Sequence, residues 1–376
     1  MKIGHISHVY LPNIGGIENY VYRLSSFLQS RNETVIIYTT DLASDSCHQK
    51  EANAVYCRTT FSIMRNPFSL EFIKILIKSE EDIYHIHGYE FFTSLLAVIL
   101  LKNKPKILTQ HGVEIDHHNL KLYVLNRLYH PFASYILKNV DTIIVLGEND
   151  RKILSNSFNI SLTKIKIIPN GIEIDKFVSL EANNINFVER HELRKSSFKI
   201  LFVSRLVETK NAHILISAFV KYIKEDAELI IIGQGESSYT SKLRNLADGR
   251  VHILGAVSFE ELVAAYNTSD LFVFLGELSE GMPTTILEAM ACGLPVITTH
   301  VGNINDVVAE GENGFFINIP IDEYELSKRI IHLIHSNNKC ISEANRLKIA
   351  NRYNWALIAD KIFTIYIDAL KEYTTI

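Results

Sequence analysis

Short apolar, β-branched runs alternate along most of the chain with longer stretches whose apolar positions recur at helical spacing. In the first half the runs predict strands over residues 2–7, 34–39, 82–87, 106–109, 142–146 and 165–168. Helical patterns among them include residues 17–29 and 120–137. This β–α–β rhythm implies a parallel sheet covered on both faces by helices. The rhythm breaks over residues 178–197, a polar, charged stretch read as a linker with a short helix, and restarts with a strand at 199–204. Strands at 228–232, 251–254, 270–275 and 295–299 follow, each with a helical stretch after it. An apolar-periodic helix over 354–372 carries Trp355, the only tryptophan.

The expected fold class is therefore α/β, with two doubly wound Rossmann-like domains at residues 1–177 and 198–353 joined by the 178–197 linker. A chain of 376 residues also favours two domains over one. Open α/β sheets bind ligands beyond the carboxyl ends of their strands. Two such domains facing each other would hold a site in the cleft between them, and the informative residues should follow strands.

Composition narrows the function classes. The chain is 47% hydrophobic and 21% charged, as soluble globular proteins are, and its net charge of −4 shows no nucleic-acid footprint. Four cysteines without a Cys-x-x-Cys pair read as reduced cytosolic thiols rather than a disulfide framework or a zinc site. Met1 leads directly into the first strand, so no signal peptide is expected. The longest apolar run, residues 95–101, is too short to span a bilayer. A cytoplasmic protein is expected, with room for peripheral attachment at the inner face of the cell membrane.

The segment from Ser279 to Glu288 changes the picture most. Glu280 and Glu288 stand eight positions apart, with Gly281, Met282 and a helix start between them. Pro283 suits the first helical position, where its missing N–H has no intrahelical partner anyway. The N–H groups of Thr284 and Thr285 are then free to meet an anion. Such a corner suits a ligand both phosphorylated and hydroxylated, and a plain strand–helix corner with a dipole-complementing glutamate is the competing reading. Arg205 and Lys210, after the restarted strand, suit a diphosphate whose charge must be balanced as it leaves, unless they are simply solvated cations. Gly15-Gly16 at a helix start lets backbone approach a phosphate. The dinucleotide fingerprint is absent: no G-x-G-x-x-G follows the first strand, and Ser238 stands where the third glycine would follow Gly233-Gln234-Gly235.

His111 ends a strand and precedes Gly112, a place from which it could hydrogen-bond a sugar hydroxyl or help move a proton, or simply pack in the core. His85 and His87 alternate on one strand face, and Asp116-His117-His118 forms another cluster. Neither offers three ligands at a recognisable metal spacing, so no metal is expected. Asn170-Gly171 after Pro169 reads as a turn and hinge.

Taken in order, these motifs resemble retaining glycosyltransferase family 4, whose fold is GT-B. The matching pieces are Gly15-Gly16-Ile17-Glu18, His111-Gly112, Ile168-Pro169-Asn170-Gly171, Ser204-Arg205-Leu206 with Lys210, Gly233-Gln234-Gly235, and the two-glutamate signature from Ser279 through Glu288 to Ile297. The resemblance covers nearly the whole chain. It implies an acceptor-binding first domain, a nucleotide-sugar-binding second domain, and a C-terminal helix (354–376) crossing back to the first.

The resemblance further implies residue roles. Arg205 and Lys210 would hold the donor diphosphate. Glu280 and the backbone of Gly281, Met282 and Pro283 would hold the transferred sugar and phosphate, with Thr284 at the helix start. Glu288 would accept from the ribose hydroxyls, and the loop from Gly233 would lie near the base or ribose. Gly16 would approach the diphosphate, and His111 would contact the sugar near the reacting carbon. The donor would be a UDP- or GDP-sugar, no cofactor or metal would be required, and the acceptor would be a glycan or lipid-linked sugar. The helix over residues 120–140, with Lys121, Arg127 and Lys138 among apolar residues, could rest on an anionic membrane. Ser204 and Asn211 depart from the family's usual glycines, and Met282, Thr284 and Thr285 replace its commoner Phe and apolar residues. The rival readings are a related sugar-nucleotide epimerase or phosphorylase, and a non-catalytic sugar-nucleotide-binding subunit.

Overall fold

Residues Lys2-Ile3-Gly4-His5-Ile6 form strand β1 (Lys2–Ile6), buried from Ile3 onward, and the next apolar run forms β2 (Thr34–Thr40) beside it. The computed structural model describes the chain except residues 14, 43–50, 65, 114–119, 179, 278–280 and 375–376, and for 120–126 it describes the backbone alone. The chain divides into two units, Met1–Asn170 with Ala356–Ile376, and Gly171–Trp355.

The first unit continues with β3 (Ala54–Cys57), β4 (Phe61–Ile63), β5 (Asn66–Phe68), β6 (Ile83–His87), β7 (Lys106–Gln110), β8 (Thr142–Val145) and β9 (Ile165–Ile167). Its main sheet is parallel, in the order β3-β2-β1-β6-β7-β8-β9, with β4 and β5 as a separate antiparallel pair. The helix Gly16–Ser30 covers one face by burying Tyr20, Val21, Leu24 and Leu28, a stripe at helical spacing. The C-terminal helix Trp355–Thr374 contributes Ile358, Ile362 and Tyr366, all buried.

The second unit holds β10 (Phe198–Val203), β11 (Ala227–Ile232), β12 (Val251–Gly255), β13 (Leu271–Phe274), β14 (Val296–Thr299) and β15 (Gly314–Ile317). They form a parallel sheet in the order β12-β11-β10-β13-β14-β15. Each unit is thus a doubly wound, Rossmann-like α/β layer structure. The apolar runs fall on the strands within a residue or two of their expected limits. β3, β4, β5 and β15 were not expected, and β14 is followed by a short 3-10 turn and β15 rather than a helix. These strands have three or four residues and lie at sheet edges or in the hairpin, so they carry little apolar pattern.

The stretch read as a linker contains the helix Glu181–Arg190, which buries Phe187 and places Arg190 2.7 Å from Glu261. Both chain crossings between the units are stitched together within the second one, by Ile172 N–H to the Tyr353 carbonyl at 2.8 Å and Trp355 N–H to the Ile172 carbonyl at 2.9 Å. Among the described residues, no helix is long and apolar enough to cross a membrane.

Candidate functional site

In the second sheet the chain order reverses between β10 and β13. Loops leaving two such strands run to opposite faces and open a crevice at their carboxyl ends. Arg205 lies in the loop after β10 and is exposed. Lys210 ends the 3-10 turn Glu208–Lys210 and is buried, its Nζ 5.1 Å from the centre of the Phe274 ring at the end of β13. An aromatic face attracts a cation through its quadrupole, which suits a partly desolvated lysine. Asn211 follows with φ +57°, a left-handed conformation that asparagine tolerates and glycine takes freely, so it can replace the glycine usual there. Its Nδ2 donates to the Leu275 carbonyl at 3.0 Å, and Glu277 N–H donates to the Thr209 carbonyl at 3.1 Å. The loops after β10 and β13 are therefore joined mainly through backbone groups.

Gly233 and Gly235 have a packing reason of their own. A Cβ on Gly233, at φ +151°, would stand 1.8 Å from the Ser204 carbonyl oxygen, and one on Gly235 would stand 2.0 Å from that of Leu206. Leu206 N–H donates to the Gln234 carbonyl at 2.7 Å, so this turn braces the loop that carries Arg205.

The helix after β13 runs over Thr284–Ala291, and Pro283 is its N-cap, with φ −62° and ψ 119°, rather than its first helical residue. The extended ψ turns the Pro283 carbonyl into the helix, where it accepts from Ile286 N–H at 3.3 Å. The first N–H groups, those of Thr284 and Thr285, belong to the set that has no acceptor within a helix. Met282 is buried, and the Gly281 carbonyl accepts from both Asn303 N–H at 3.1 Å and Asn303 Nδ2 at 2.8 Å. Glu280 lies outside the described residues. Glu288, on the second turn, accepts a 2.9 Å hydrogen bond at Oε2 from the Tyr266 hydroxyl. Burial and the Glu288 charge push the Tyr266 phenol well above its usual range, so it stays a donor that orients the carboxylate. A cavity of about 500 Å³ in this unit opens elsewhere, against Phe198, Asp270 and Pro295 at the amino ends of β10, β13 and β14.

The first sheet reverses between β1 and β6. Register pairs His5 with His85 and His87 with Thr109, so His5, His85 and His87 share one face, all fully buried. His5 Nδ1 lies 2.9 Å from His87 Nε2, and His87 Nδ1 lies 3.1 Å from His111 Nε2. His85 bonds instead to the Tyr366 hydroxyl at 2.5 Å and Thr109 Oγ1 at 2.6 Å. Burial lowers His5 and His111 to about 3, and burial plus the neighbouring imidazoles take His85 and His87 well below the usual histidine value. Ligand atoms of His5, His85 and His87 come within 4.8 Å of one another, a third member that the spacing of His85 and His87 did not supply. Both His85 nitrogens, both His87 nitrogens and His5 Nδ1 are already engaged in the hydrogen bonds just described. Asp116, His117 and His118 lie outside the described residues.

Gly16 is the first residue of the helix Gly16–Ser30. A Cβ on Gly15 would stand 2.2 Å from Glu18 Oε2, whereas one on Gly16 would meet nothing within 4 Å among the described residues. Packing within its own unit therefore does not demand glycine at 16.

The loops after β10 and β13 carry Arg205, Lys210, Gly281, Met282 and Pro283 to one switch point, with Thr284 and Glu288 on the helix that follows. Gly233, after β11, braces the first of these loops, and His111, after β7, is bonded to His87 at the end of β6 beside the other switch point. The sequence reading missed His5 and Tyr266. The alternation of His85 and His87 was visible, but pairing His5 with them needs the order of the strands, and nothing local marks Tyr266 as the partner of Glu288.

Residues 14–176 match the profile of Glycosyltransferase Family 4, and residues 184–352 match that of Glycosyl transferases group 1. The UDP-Gal:alpha-D-GlcNAc-diphosphoundecaprenol alpha-1,3-galactosyltransferase of Escherichia coli is 30% identical, over 98% of this chain and 97% of its own length. The alpha-monoglucosyldiacylglycerol synthase of Acholeplasma laidlawii is 24% identical, over 99% of this chain and 98% of its own. Among solved structures, Anabaena HepE in complex with UDP aligns with a TM-score of 0.82 at 17% identity, covering 98% of this chain and 100% of that one.

Proposed function

The chain belongs to glycosyltransferase family 4 and is a glycosyltransferase of the GT-B type, and from that premise we propose that it moves a hexose-type sugar from a UDP- or GDP-sugar, with retention at the anomeric carbon, to a lipid-linked or glycan acceptor in cell-surface polysaccharide or glycolipid synthesis. The observation that carries this reading is the set of two cations, a helix start and the Tyr266-oriented Glu288 at one switch point. The bond from the anomeric carbon to the diphosphate oxygen breaks as the acceptor oxygen bonds the same face. The acceptor proton passes to the leaving phosphate oxygen. Arg205, Lys210 and the N–H groups at Thr284 and Thr285 stabilise the charge that the diphosphate gains, which removes the need for a metal. Glu280 positions the sugar, Glu288 accepts from the ribose, His111 contacts the sugar and Gly16 admits the diphosphate. UDP is the favoured base, because the named E. coli relative uses UDP-Gal and HepE was solved with UDP.

The lipid-linked acceptor is supported by the two relatives named above and by one surface of the first unit. The helix Leu120–Lys138 buries Ala133, Ile136 and Leu137 but exposes Leu128, Phe132 and Tyr135 along one stripe, beside exposed Arg127 and Lys138. The β4–β5 hairpin exposes Phe61, Ile63 and Met64, and its Phe68 ring packs edge-on against Phe92 at the start of the helix Phe92–Leu100. Tyr129 in turn donates to the Phe91 carbonyl at 3.3 Å, which links the stripe to the hairpin. An apolar stripe flanked by cations suits peripheral attachment to an anionic leaflet. The protein would then act in the cytoplasm at the inner face of the membrane.

The test is a thermal-shift panel of UDP, GDP and ADP without added metal, followed by transfer from the matching nucleotide sugars to a polyprenyl-diphosphate sugar in anionic vesicles. A selective shift and labelled lipid product are expected. No shift with any nucleotide would remove the diphosphate site, and donor turnover without acceptor would replace transfer with epimerisation or hydrolysis.

A further inference from the structure

Three imidazoles form an unbroken hydrogen-bonded row from the core to the end of β7: His5 to His87 at 2.9 Å, then His87 to His111 at 3.1 Å. Each link needs one N–H and one lone pair, and a neutral imidazole has one of each. The direction of one link therefore sets the direction of the other. All the protons point either outward, toward His111, or inward, toward His5.

The inner end breaks this symmetry. His5 Nε2 is buried and has no partner among the described residues. Inward-running bonds would leave an orphaned N–H there, a buried donor stripped of water with no acceptor to replace it. Outward-running bonds leave a bare lone pair at that atom instead. They also make His111 Nε2 an acceptor, which places the His111 proton on Nδ1, an atom that no described residue engages.

We propose that His5 and His87 are positioning residues that hold His111 as the Nδ1–H tautomer, so that it meets the substrate as a neutral hydrogen-bond donor and not as a base. The name of that substrate, a transferred sugar with its hydroxyls, rests on the function proposed above, whereas the tautomer does not. The surroundings of the row serve the same end. The Tyr20 and His111 rings pack edge-on with their centres 4.7 Å apart, and His85 stacks with its centre 4.4 Å from that of His87 while its own nitrogens are spent on Tyr366 and Thr109. Burial keeps the row uncharged. A neutral donor can grip a sugar hydroxyl without placing a positive charge beside an anomeric carbon that itself becomes cationic in the transition state.

The experiment is nitrogen-15 NMR of the whole protein with labelled histidine, without substrate, using His111→Gln to assign the His111 signals. The expected spectrum shows His111 protonated at Nδ1, bare at Nε2, and neutral down to about pH 5. His87→Leu should let His111 change tautomer and lower kcat about tenfold with donor KM unchanged, and His87→Asn, whose amide can donate in place of Nδ1, should restore both. A His111 protonated at Nε2 or at both nitrogens in the wild type would overturn the proposal, even where the His87 variants fail to fold. So would a stoichiometric metal found in the purified protein by elemental analysis. A correct tautomer in a protein that transfers no sugar would leave the positioning intact and remove only the proposed function.

Discussion

At the switch point of the second unit, Lys210 and Arg205 present positive charge beside a helix start; at that of the first, four imidazoles are held neutral by burial. The topological device is the same, a reversal of strand order that opens a crevice at the carboxyl ends. The electrostatics are opposite. The second unit sets Lys210 between joined loops and an aromatic face and leaves Arg205 exposed beside it, an arrangement suited to a ligand that gains negative charge. The first unit strips charge from its polar side chains and leaves directional hydrogen bonds, an arrangement suited to hydroxyls. A Rossmann-like sheet thus supplies the place, and the burial of particular side chains decides which chemistry it accepts.

The largest effect should come from removing the buried cation. Lys210→Met is expected to lower kcat about 10²–10³-fold, the scale of losing one preorganised group from a developing anion. Turnover at saturating donor measures it, and a loss of only a few-fold would break the assignment of diphosphate charge to the second unit. Next comes the turn that braces the Arg205 loop. Gly233→Ala forces a Cβ to 1.8 Å from the Ser204 carbonyl at φ +151°, and should destabilise the protein by roughly 2–3 kcal/mol. A drop in Tm is the readout, and an unchanged Tm would show that the loop yields without cost.

Over the range from about pH 7 to pH 5 the smallest effect is a pH dependence belonging to the first unit. His5 is held at about 3 against 6.5 for a free histidine, by burial. Between those values the unfolded chain binds a proton that the native protein does not. Stability should therefore fall as pH drops from about 6.5 toward 3, by about 1.4 kcal/mol per pH unit for His5. Urea titrations at about pH 7 and pH 5 check the slope, and hydrogen exchange should show the β1–β6 region of the first unit softening more than the β10–β13 region of the second. Equal softening would erase the electrical contrast between the units.

Local pattern was enough to divide the chain into two strand–helix series and to single out the corner that leads to Glu288, because apolar periodicity and adjacent motif residues are properties of short segments. It was enough, too, to notice His85 and His87 on one strand face. It was not enough for the strands β3 and β15, whose pairing depends on an edge being available. Nor did it set the N-cap role of Pro283, which follows from ψ 119° and the acceptor that this creates. The glycines at 233 and 235 looked like ligand glycines in the sequence; their reason in the fold is the backbone of Ser204 and Leu206 a few ångströms away.

The sequence by itself therefore determined the alternation of strands and helices, the two units, and the family whose motifs it carries, since each of these is written within a few tens of consecutive residues. Only the tertiary structure decided that His5 lies beside His85, that His87 reaches His111, and that Tyr266 orients Glu288, because those pairs meet only once strand order and helix packing bring distant segments together.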